Sequence, residues 1–531
     1  MLAICSLIAK LLGAFFRIPL TNILGAQGMG VYQMVFPVYS IVLMLSSGGL
    51  PVAISKVVAN KSAQGDVDGA QKVLKVSLLL MSIVGILGSA VIVMLHRLIP
   101  QWQGNSQASL AYLGISPSIL FVCIMSVFKG YFQGRQNMLP SSIMQIAEQL
   151  VKLLVGITLS LYFMQWGIAY AALGAILGIT VSELVAMIVL ICFYVFNTKG
   201  KKSNINYNLA HNTTEVAVDW NLTDYTELDT NLYKTQSTHN STIDILKTVY
   251  KVAIPVTLGA LILPLTQVVD SVIIINFLIS NGISKHAATS QYGILNGPVS
   301  SLLNLPILVT LAISVALLPK IAKNFVQGHD VQTIVNSNMK YSLMISVPCF
   351  AGFIIYCKDI MQLMYGKGLD ATELEQSVLM LQLLASIIIY SSIMQICTAT
   401  LQGLDQAHKP AYILGIGAIF KVVFTVVLMH ILGIYGVCIA TVIFYIVACM
   451  LNILACSKSI SIKYSGIQGI KIILITCASF GIGHLVRSIL PNNISHMLAI
   501  VTCGLLSILI YGILCILTRL VPIRKSNTTT I

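Results

Sequence analysis

The stretch 166–196, WGIAYAALGAILGITVSELVAMIVLICFYVF, decides the fold of this chain, because Glu183 is its only charged residue. A helix needs about 20 mostly apolar residues to cross a bilayer core. Of the 531 residues, 57% are hydrophobic and 9% are charged, and a soluble fold of this length could not bury so much apolar surface. The composition excludes a soluble enzyme, a disordered protein and a collagen-like fibre. It predicts an all-α polytopic membrane protein.

The same length rule, applied outward from this stretch, predicts 14 transmembrane helices. Their expected bounds are 2–24, 31–57, 73–95, 108–132, 141–163, 166–196, 246–279, 288–319, 339–357, 376–401, 410–432, 434–456, 467–487 and 496–518. With the N-terminus inside, 22 of the 31 Lys and Arg residues fall on the cytoplasmic side and five fall outside. Because cytoplasmic loops of membrane proteins are enriched in these residues, both termini are predicted to be cytoplasmic.

An internal repeat is visible as landmarks that share an offset of 269 residues. They are Phe132-Gln133-Gly134 with Leu401-Gln402-Gly403, Lys152 with Lys421, and Trp166-Gly167 with Tyr435-Gly436. Three landmarks in the same order indicate a duplicated six-span unit. This predicts two pseudo-symmetric six-helix lobes with a transport site between them.

The repeat and the long polar stretch in mid-chain divide the sequence into four parts. The predicted domains are an N-terminal lobe (1–196, spans 1–6), a cytoplasmic polar linker (197–244), a C-terminal lobe (245–456, spans 7–12), and two extra helices with a basic cytoplasmic tail (457–531). Gly174 and Gly178, within span 6, are interpreted as helix-packing contacts rather than as a site.

Seven ionisable side chains lie inside predicted spans, where a charge is costly unless it is paired or hydrated. They are Lys10, Arg17, Glu148, Lys152, Glu183, Asp270 and Lys421. Each is a functional candidate, and the four bases slightly outnumber the three acids. Lys10 and Arg17 are seven residues apart and share a helical face. They either meet an anionic ligand, or sit near the membrane surfaces with Arg17 snorkelling outward.

Glu148 and Lys152 are spaced i,i+4 on span 5. They either neutralise each other along the helix or line a wet cavity in which a phosphate competes for Lys152. Lys421 has no partner on its own helix, and the repeat places it at the same depth as Lys152. Lys10, Arg17, Lys152 and Lys421 are therefore the predicted substrate-binding residues, since ammonium and guanidinium groups bind phosphates. Glu148, Glu183 and Asp270 are predicted to pair these charges or to couple an ion.

Catalytic and cofactor motifs are absent from the sequence. The chain has no GxxxxGK[ST], no HExxH and no nucleophile elbow, and its 12 cysteines show no metal-ligand spacing. The net charge of +14 is scattered over loops and predicts no nucleic-acid partner. We therefore expect no catalytic residue, no metal, no cofactor and no enzyme activity.

Several stretches resemble a known family. They are 11–20 (LLGAFFRIPL), 25–32 (GAQGMGVY), 36–39 (FPVY), 292–298 (YGILNGP), and the junction formed by Gln402-Gly403 and Lys409-Pro410. They resemble the stage V sporulation protein B group, in the polysaccharide-biosynthesis branch of the multidrug/oligosaccharidyl-lipid/polysaccharide exporter superfamily, which is related to the lipid II flippases. That group usually has a short lead before its first span, so a start codon upstream of Met1 is expected.

The resemblance implies a 14-helix flippase in the cytoplasmic (inner) membrane of a bacterium. Its expected substrate is an undecaprenyl-pyrophosphate-linked oligosaccharide, which is a cell-wall or spore-cortex precursor. The protein would move this substrate by alternating access. The substrate's polyprenyl tail would stay in lipid, along spans 13 and 14. The expected partners are this lipid-linked saccharide, membrane lipid and cell-wall synthesis proteins. The resemblance also implies a coupling-cation role for an acidic residue on span 7, where Lys421 would replace the cation beside Asp270.

Two other functions remain open. A multidrug or cation antiporter of the same superfamily would favour an acid-rich cavity, which the excess of bases opposes. A non-transporting membrane scaffold of envelope synthesis, or a membrane-embedded enzyme, would leave the mid-span charges and the repeat unexplained.

Overall fold

The computed structural model describes residues 2–47, 49–199, 257, 261–460, 466–489, 496–518 and 520. All regular secondary structure in these ranges is helical, which confirms the predicted all-α class. The predicted linker 197–244 lies outside the described residues except for its first three positions, and the tail after residue 520 also lies outside them.

The first seven helices follow the apolar stretches of residues 2–199. They are α1 (Leu2–Ser47), α2 (Leu50–Ala63), α3 (Val67–Leu95), α4 (Leu98–Trp102), α5 (Ser109–Gly134), α6 (Leu139–Phe163) and α7 (Ile168–Lys199). Gly25 adopts φ 65° and ψ −176° inside α1, a conformation that glycine reaches without steric penalty. The chain therefore turns at one residue. α1 thus consists of two helical segments that meet at Gly25, so the predicted spans 2–24 and 31–57 are separated by this one residue rather than by a longer loop, and α2 follows.

Beyond the undescribed stretch 200–256, the next helix whose bounds the structure describes begins at Ile262. The described helices from there on are α8 (Ile262–Ser280), α9 (Lys285–Ile294), α10 (Ser300–Val326), α11 (Gln332–Ile355), α12 (Cys357–Tyr365), α13 (Ala371–Leu384), α14 (Ile387–Gly403), α15 (His408–Leu432), α16 (Ile434–Ser459), α17 (Gly466–Ile489) and α18 (His496–Leu517). A π-helical turn, Leu295–Val299, joins α9 to α10 and contains Pro298. Proline has no amide hydrogen to give to a regular helix, and such wide turns are often found at functional sites.

Eleven helices in the described part are long and apolar enough to cross a membrane. Two shorter apolar helices, Pro264–Ser280 and Thr502–Leu517, fall within predicted spans 7 and 14. The stretch Ile8–Ala63 counts once among the eleven, although it contains two predicted spans. The chain is thus a multi-pass helical membrane protein, and the number 14 stays a prediction.

The turns after α5 and α14 have the same geometry at the repeat offset of 269 residues. Gln136 has φ 56° and Asp405 has φ 61°, and they are the only non-glycine residues with positive φ in the described part. In each turn the following amide donates to the carbonyl five residues back, at 2.9 Å after α5 and 2.8 Å after α14. This is the Schellman pattern that ends many helices. The repeat seen in the sequence therefore extends to the backbone conformation.

The described chain forms two compact units, which we call the first and second unit. The first is Met1–Leu302 with Leu414–Ala440, and the second is Leu303–Ile413 with Thr441–Ile531. The lobe boundaries expected from the repeat stay a prediction.

Glycines allow the helices of the first unit to pack closely. A Cβ atom on Gly178 of α7 would collide with the backbone of Gly156 on α6, and one on Gly174 would lie 2.5 Å from the carbonyl oxygen of Leu159. Gly174 and Gly178 are therefore packing residues, as predicted. Their contact holds α6 against α7, the two helices that carry Glu148, Lys152 and Glu183.

The two predicted extra helices, α17 and α18, are fixed at both ends within the second unit. Arg487 of α17 makes a two-point ion pair with Asp359 of α12, in which Nη2 donates to Oδ1 at 2.6 Å. At the opposite end, Lys340 of α11 donates to the carbonyl oxygen of Leu520 at 2.9 Å. Bidentate pairing of this kind is strong and directional.

Candidate functional site

Four of the seven predicted site residues lie together in the first unit. Lys152 of α6 interacts electrostatically with Glu148 one turn away, with Glu183 of α7 and with Arg17 of α1. Its ammonium lies 5.7 Å from the ring centre of Phe16, within the range of a cation–π contact. Three helices thus bring two bases and two acids to one place in the membrane interior.

The expected intrahelical pair between Glu148 and Lys152 is not an ion pair in the structure. The ion pairs within 4.0 Å in the described ranges include Lys61–Asp66, Lys421–Asp270 and Arg487–Asp359, and no such pair joins Glu148 to Lys152. Oε1 of Glu148 instead accepts a hydrogen bond from Nε2 of Gln149 at 3.0 Å. The two groups still attract each other, because they share one turn of α6.

Lys10 lies apart from this group. Its side chain is exposed, whereas that of Arg17, two turns later on α1, is half-buried. The seven-residue spacing places Lys10 and Arg17 on the same face of α1. How deeply each side chain is buried depends on which other helices pack against that turn. The structure therefore brings Arg17, and not Lys10, to Lys152.

Asp270 and Lys421 form the second group of site residues, also within the first unit. The ammonium of Lys421 on α15 donates to Oδ2 of Asp270 on α8, and the two side chains are only 14% and 12% exposed. Counting about 1.5 Å of helical rise per residue from the cytoplasmic end of each predicted span places Asp270 farther out than Lys421. The long side chain of lysine overcomes this difference in depth, and the pair forms as the resemblance implied.

Two buried oxygens next to this ion pair have no hydrogen-bond partner in the described part of the chain. They are Oδ1 of Asp270 and Oγ1 of Thr425, which lies one turn beyond Lys421. An apolar groove of about 380 Å³ runs between the same two helices. Its lining residues are Leu265, Thr266, Val269, Gly415, Ala418, Ile419, Val422 and Val423.

A buried polar network joins early and late helices of the first unit at their predicted outer ends. Nε2 of Gln103 donates to the carbonyl oxygen of Met34 at 3.0 Å and to Oγ of Ser271 at 2.9 Å. The Tyr112 hydroxyl lies 2.9 Å from both the Met34 carbonyl oxygen and Oε1 of Gln103. We call Met34, Gln103, Tyr112 and Ser271 the outer network.

A second contact at the same end is the hydrogen bond from Nδ2 of Asn105 to Oγ1 of Thr289, at 2.9 Å. Gln103 and Asn105 are 1% exposed, although both occupy a short segment between predicted spans. The sequence analysis missed these residues. The sequence did contain a signal for their burial. Two side-chain amides lie in an outer segment so short that it must pack against the neighbouring helices.

Two of the family-like stretches pack directly on each other in the first unit. A Cβ atom on Gly293 would collide with the backbone of Ala26 and Gly30, so α9 and α1 touch backbone to backbone. Nε2 of Gln33 donates to the carbonyl oxygen of Asn296, in the π-helical turn, at 2.9 Å. The stretches 25–32 and 292–298 are therefore the two sides of one contact.

Comparisons with known proteins agree with this architecture. The chain is 26% identical over 463 residues to stage V sporulation protein B of Bacillus subtilis (strain 168), covering 86% of this chain and 82% of the relative. It is 23% identical over 477 residues to the lipid II flippase MurJ of the same organism, covering 86% and 81%. The structure of a lipid II flippase MurJ in an inward closed conformation matches with a TM-score of 0.72 at 15% identity, covering 98% of both chains.

At that identity the structural match concerns the fold alone. The family model described as polysaccharide biosynthesis protein matches residues 1–325, which is more than half of the chain and includes both stretches that form the α1–α9 contact. The chain belongs to the polysaccharide biosynthesis protein family.

Proposed function

We propose that this protein moves a lipid-linked oligosaccharide of the undecaprenyl-pyrophosphate type across the bacterial cytoplasmic membrane, with both termini inside. The chain is a membrane flippase or exporter rather than an enzyme, as the relatives are. The saccharide class rests on the names of two relatives, stage V sporulation protein B and a lipid II flippase. These names favour a cell-wall or spore-cortex precursor, and cell-wall synthesis proteins as partners.

The observation that carries the proposal is the approach of Arg17 and Lys152 in the membrane interior. These cations come from different helices, and each lies within electrostatic reach of the other. A charge at this depth is costly unless it is paired, and Glu148 and Glu183 offset the two cations, so an anionic headgroup would bind by competing with these carboxylates for Lys152. A pyrophosphate bears the matching charge, and cationic groups bind it through charge-assisted hydrogen bonds.

Lys421 and Lys10 complete the proposed set of substrate-binding cations. They differ in how easily a substrate could reach them. Lys421 is already bonded to Asp270, so a phosphate would have to displace a carboxylate there. Lys10 is exposed, which suits an early contact with an anionic headgroup. Because the substrate's polyprenyl tail is as apolar as the bilayer, only the headgroup requires a polar path.

The outer network supports transport by alternating access. It joins α1 and α5 to α8 through hydrogen bonds buried at the predicted outer end. A substrate can leave toward the outside only if these helices part. Breaking a few hydrogen bonds of about 1 kcal/mol each is a modest barrier for a transport cycle.

The antiporter alternative is less favoured by the charges. A cationic drug needs an available carboxylate, yet Asp270 is bonded to Lys421, and Lys152 lies close to both Glu148 and Glu183. Each intramembrane acid of the first unit thus already has a cation nearby.

Binding of a headgroup to purified protein in nanodiscs tests the proposal. We expect an undecaprenyl-pyrophosphate saccharide to bind, and excess inorganic pyrophosphate to compete. Lys152→Glu should weaken binding more than about tenfold, because a close charge pair contributes a few kcal/mol, while Lys152→Arg should retain most of it. Lys285→Glu, at an exposed outer position, is the matched control. Binding of ethidium that Lys152→Glu improves would establish the antiporter function instead.

A further inference from the structure

Glu148 and Lys152 lie one turn apart on α6, at the spacing where a carboxylate and an ammonium usually pair along a helix. In the structure no ion pair within 4.0 Å joins them. The Lys152 ammonium lies 5.7 Å from the centre of the Phe16 ring, and among the described residues its three N–H donors have no hydrogen-bond acceptor. The separation of these two side chains therefore needs a local cause.

The side chain of Gln149 supplies this cause. Its Nε2 donates a hydrogen bond to Oε1 of Glu148 at 3.0 Å. An ionised carboxylate only accepts hydrogen bonds, and of the two ends of an amide only the nitrogen donates, so the nitrogen end must face Glu148. The bond gives the carboxylate a partner on the side away from the next turn of α6.

Gly13 of α1 holds the other end of the same amide. A Cβ atom at Gly13 would lie 2.9 Å from Oε1 of Gln149, so the amide occupies space that exists because residue 13 is glycine. Phe16, one turn farther along α1, packs on the same helix, since a Cβ atom at Gly156 would lie 3.1 Å from its ring. The contact between α1 and α6 thus fixes both the amide and the ring.

We propose that Gln149 is a positioning residue, which holds the Glu148 carboxylate away from Lys152 and so keeps the Lys152 ammonium available to an anionic headgroup. Without the amide, Glu148 would turn to the nearest donor on its own helix, which is Lys152. An anion would then have to break an ion pair before it could bind. The inference rests on the proposed function for the anion, whereas the separation of the two side chains does not depend on it.

Binding of inorganic pyrophosphate to the whole protein in nanodiscs tests the inference. Gln149→Leu removes the amide and keeps a side chain of similar size, so binding should weaken as Glu148 pairs with Lys152. We expect a loss of at least about twofold, the effect of an exposed pair with this spacing, and a larger loss in the membrane interior. Gln145→Leu, the same change one turn earlier on α6, is the matched control and should leave the affinity unchanged.

Rescue by a second change separates positioning from a purely structural role. Glu148→Gln in the Gln149→Leu background removes the carboxylate that pairs with Lys152, so it should restore the wild-type affinity. Gly13→Ala should also weaken binding, because its methyl group displaces the amide, although alanine is the better helix former. A loss that Glu148→Gln does not restore, or an unchanged affinity in both Gln149→Leu and Gly13→Ala, would overturn the inference.

A double-mutant cycle for unfolding in SDS gives a test without any anion. The coupling between Glu148→Gln and Lys152→Gln should be small in the wild-type background and larger in the Gln149→Leu background, where the ion pair forms. Equal coupling in the two backgrounds would also overturn the inference. If the coupling changes as expected but the protein binds no pyrophosphate, the positioning role of Gln149 stands and the proposed function fails.

Discussion

The ion pair between Asp270 and Lys421 predicts that each single variant is unstable and that the double variant is not. Lys421→Met leaves the Asp270 carboxylate buried with both oxygens unbonded, because Oδ1 already lacks a partner in the described part. Asp270→Asn leaves the Lys421 ammonium buried without its counter-charge. A buried charge without a partner is costly, so each single change destabilises the folded protein.

The size of each effect follows from the burial of the two charges. Removing one partner of a buried pair destabilises by about 3–5 kcal/mol in general. Both side chains are nearly buried, at 14% and 12% exposed, so we expect at least about 3 kcal/mol for each single variant.

Unfolding of the purified protein in mixed micelles with increasing SDS measures these differences. The double variant Asp270→Asn/Lys421→Met should recover most of the lost stability, since no charge remains uncompensated. Lys61→Met, which removes the ion-pair partner of the more exposed Asp66, is the control and should show a small change. Additive effects of the two single changes in the double variant would refute the reasoning.

Three further predictions concern other parts of the chain. A disulfide formed between Asn105→Cys and Thr289→Cys should block complementation until it is reduced, because it fixes the contact at the outer end. Unchanged complementation by the oxidised protein would show that the segments joined by this contact need not separate during transport. A cysteine at Ser237, with exposed native thiols removed, should resist an impermeant thiol reagent in intact cells and react after lysis, since the charge bias places this segment inside. Asp405→Gly should raise the free energy of unfolding by roughly 0.5–1 kcal/mol, because glycine adopts positive φ without strain, and a decrease would mean that the aspartate side chain stabilises the turn.

Complementation can be predicted from the same ion pair. Lys421→Ala should fail to complement even when its expression is raised until its membrane abundance matches the wild type, whereas Glu148→Gln/Lys152→Gln should retain part of the function, because the second change removes one charge of each sign. The double variant Asp270→Asn/Lys421→Met separates the two reasons for a loss. If it restores abundance but not complementation, the lysine itself is needed for transport. Equal loss in all three variants would contradict this ranking.

Much of the fold could be predicted because apolar length and loop charge are properties of the chain itself. The stretch 166–196 predicted a membrane helix, and α7 (Ile168–Lys199) occupies it. The 269-residue offset predicted a repeat, and the turns at Gln136 and Asp405 share one backbone conformation. The first two spans are separated by Gly25 alone and not by a longer loop. The rule for span length could not predict this, because it carries no information about a single glycine at positive φ.

The candidate site shows the limit of the same reasoning. The sequence alone determined that a few charges are embedded in an apolar protein, since each side chain's depth follows from its position along a helix. Only the tertiary structure decided that Lys421 pairs with Asp270, 151 residues away, and that Gln103 is buried. Helical spacing fixes neighbours within one helix, whereas contacts between helices depend on which faces pack, and small side chains such as Gly156 and Gly178 set that packing by letting two backbones touch.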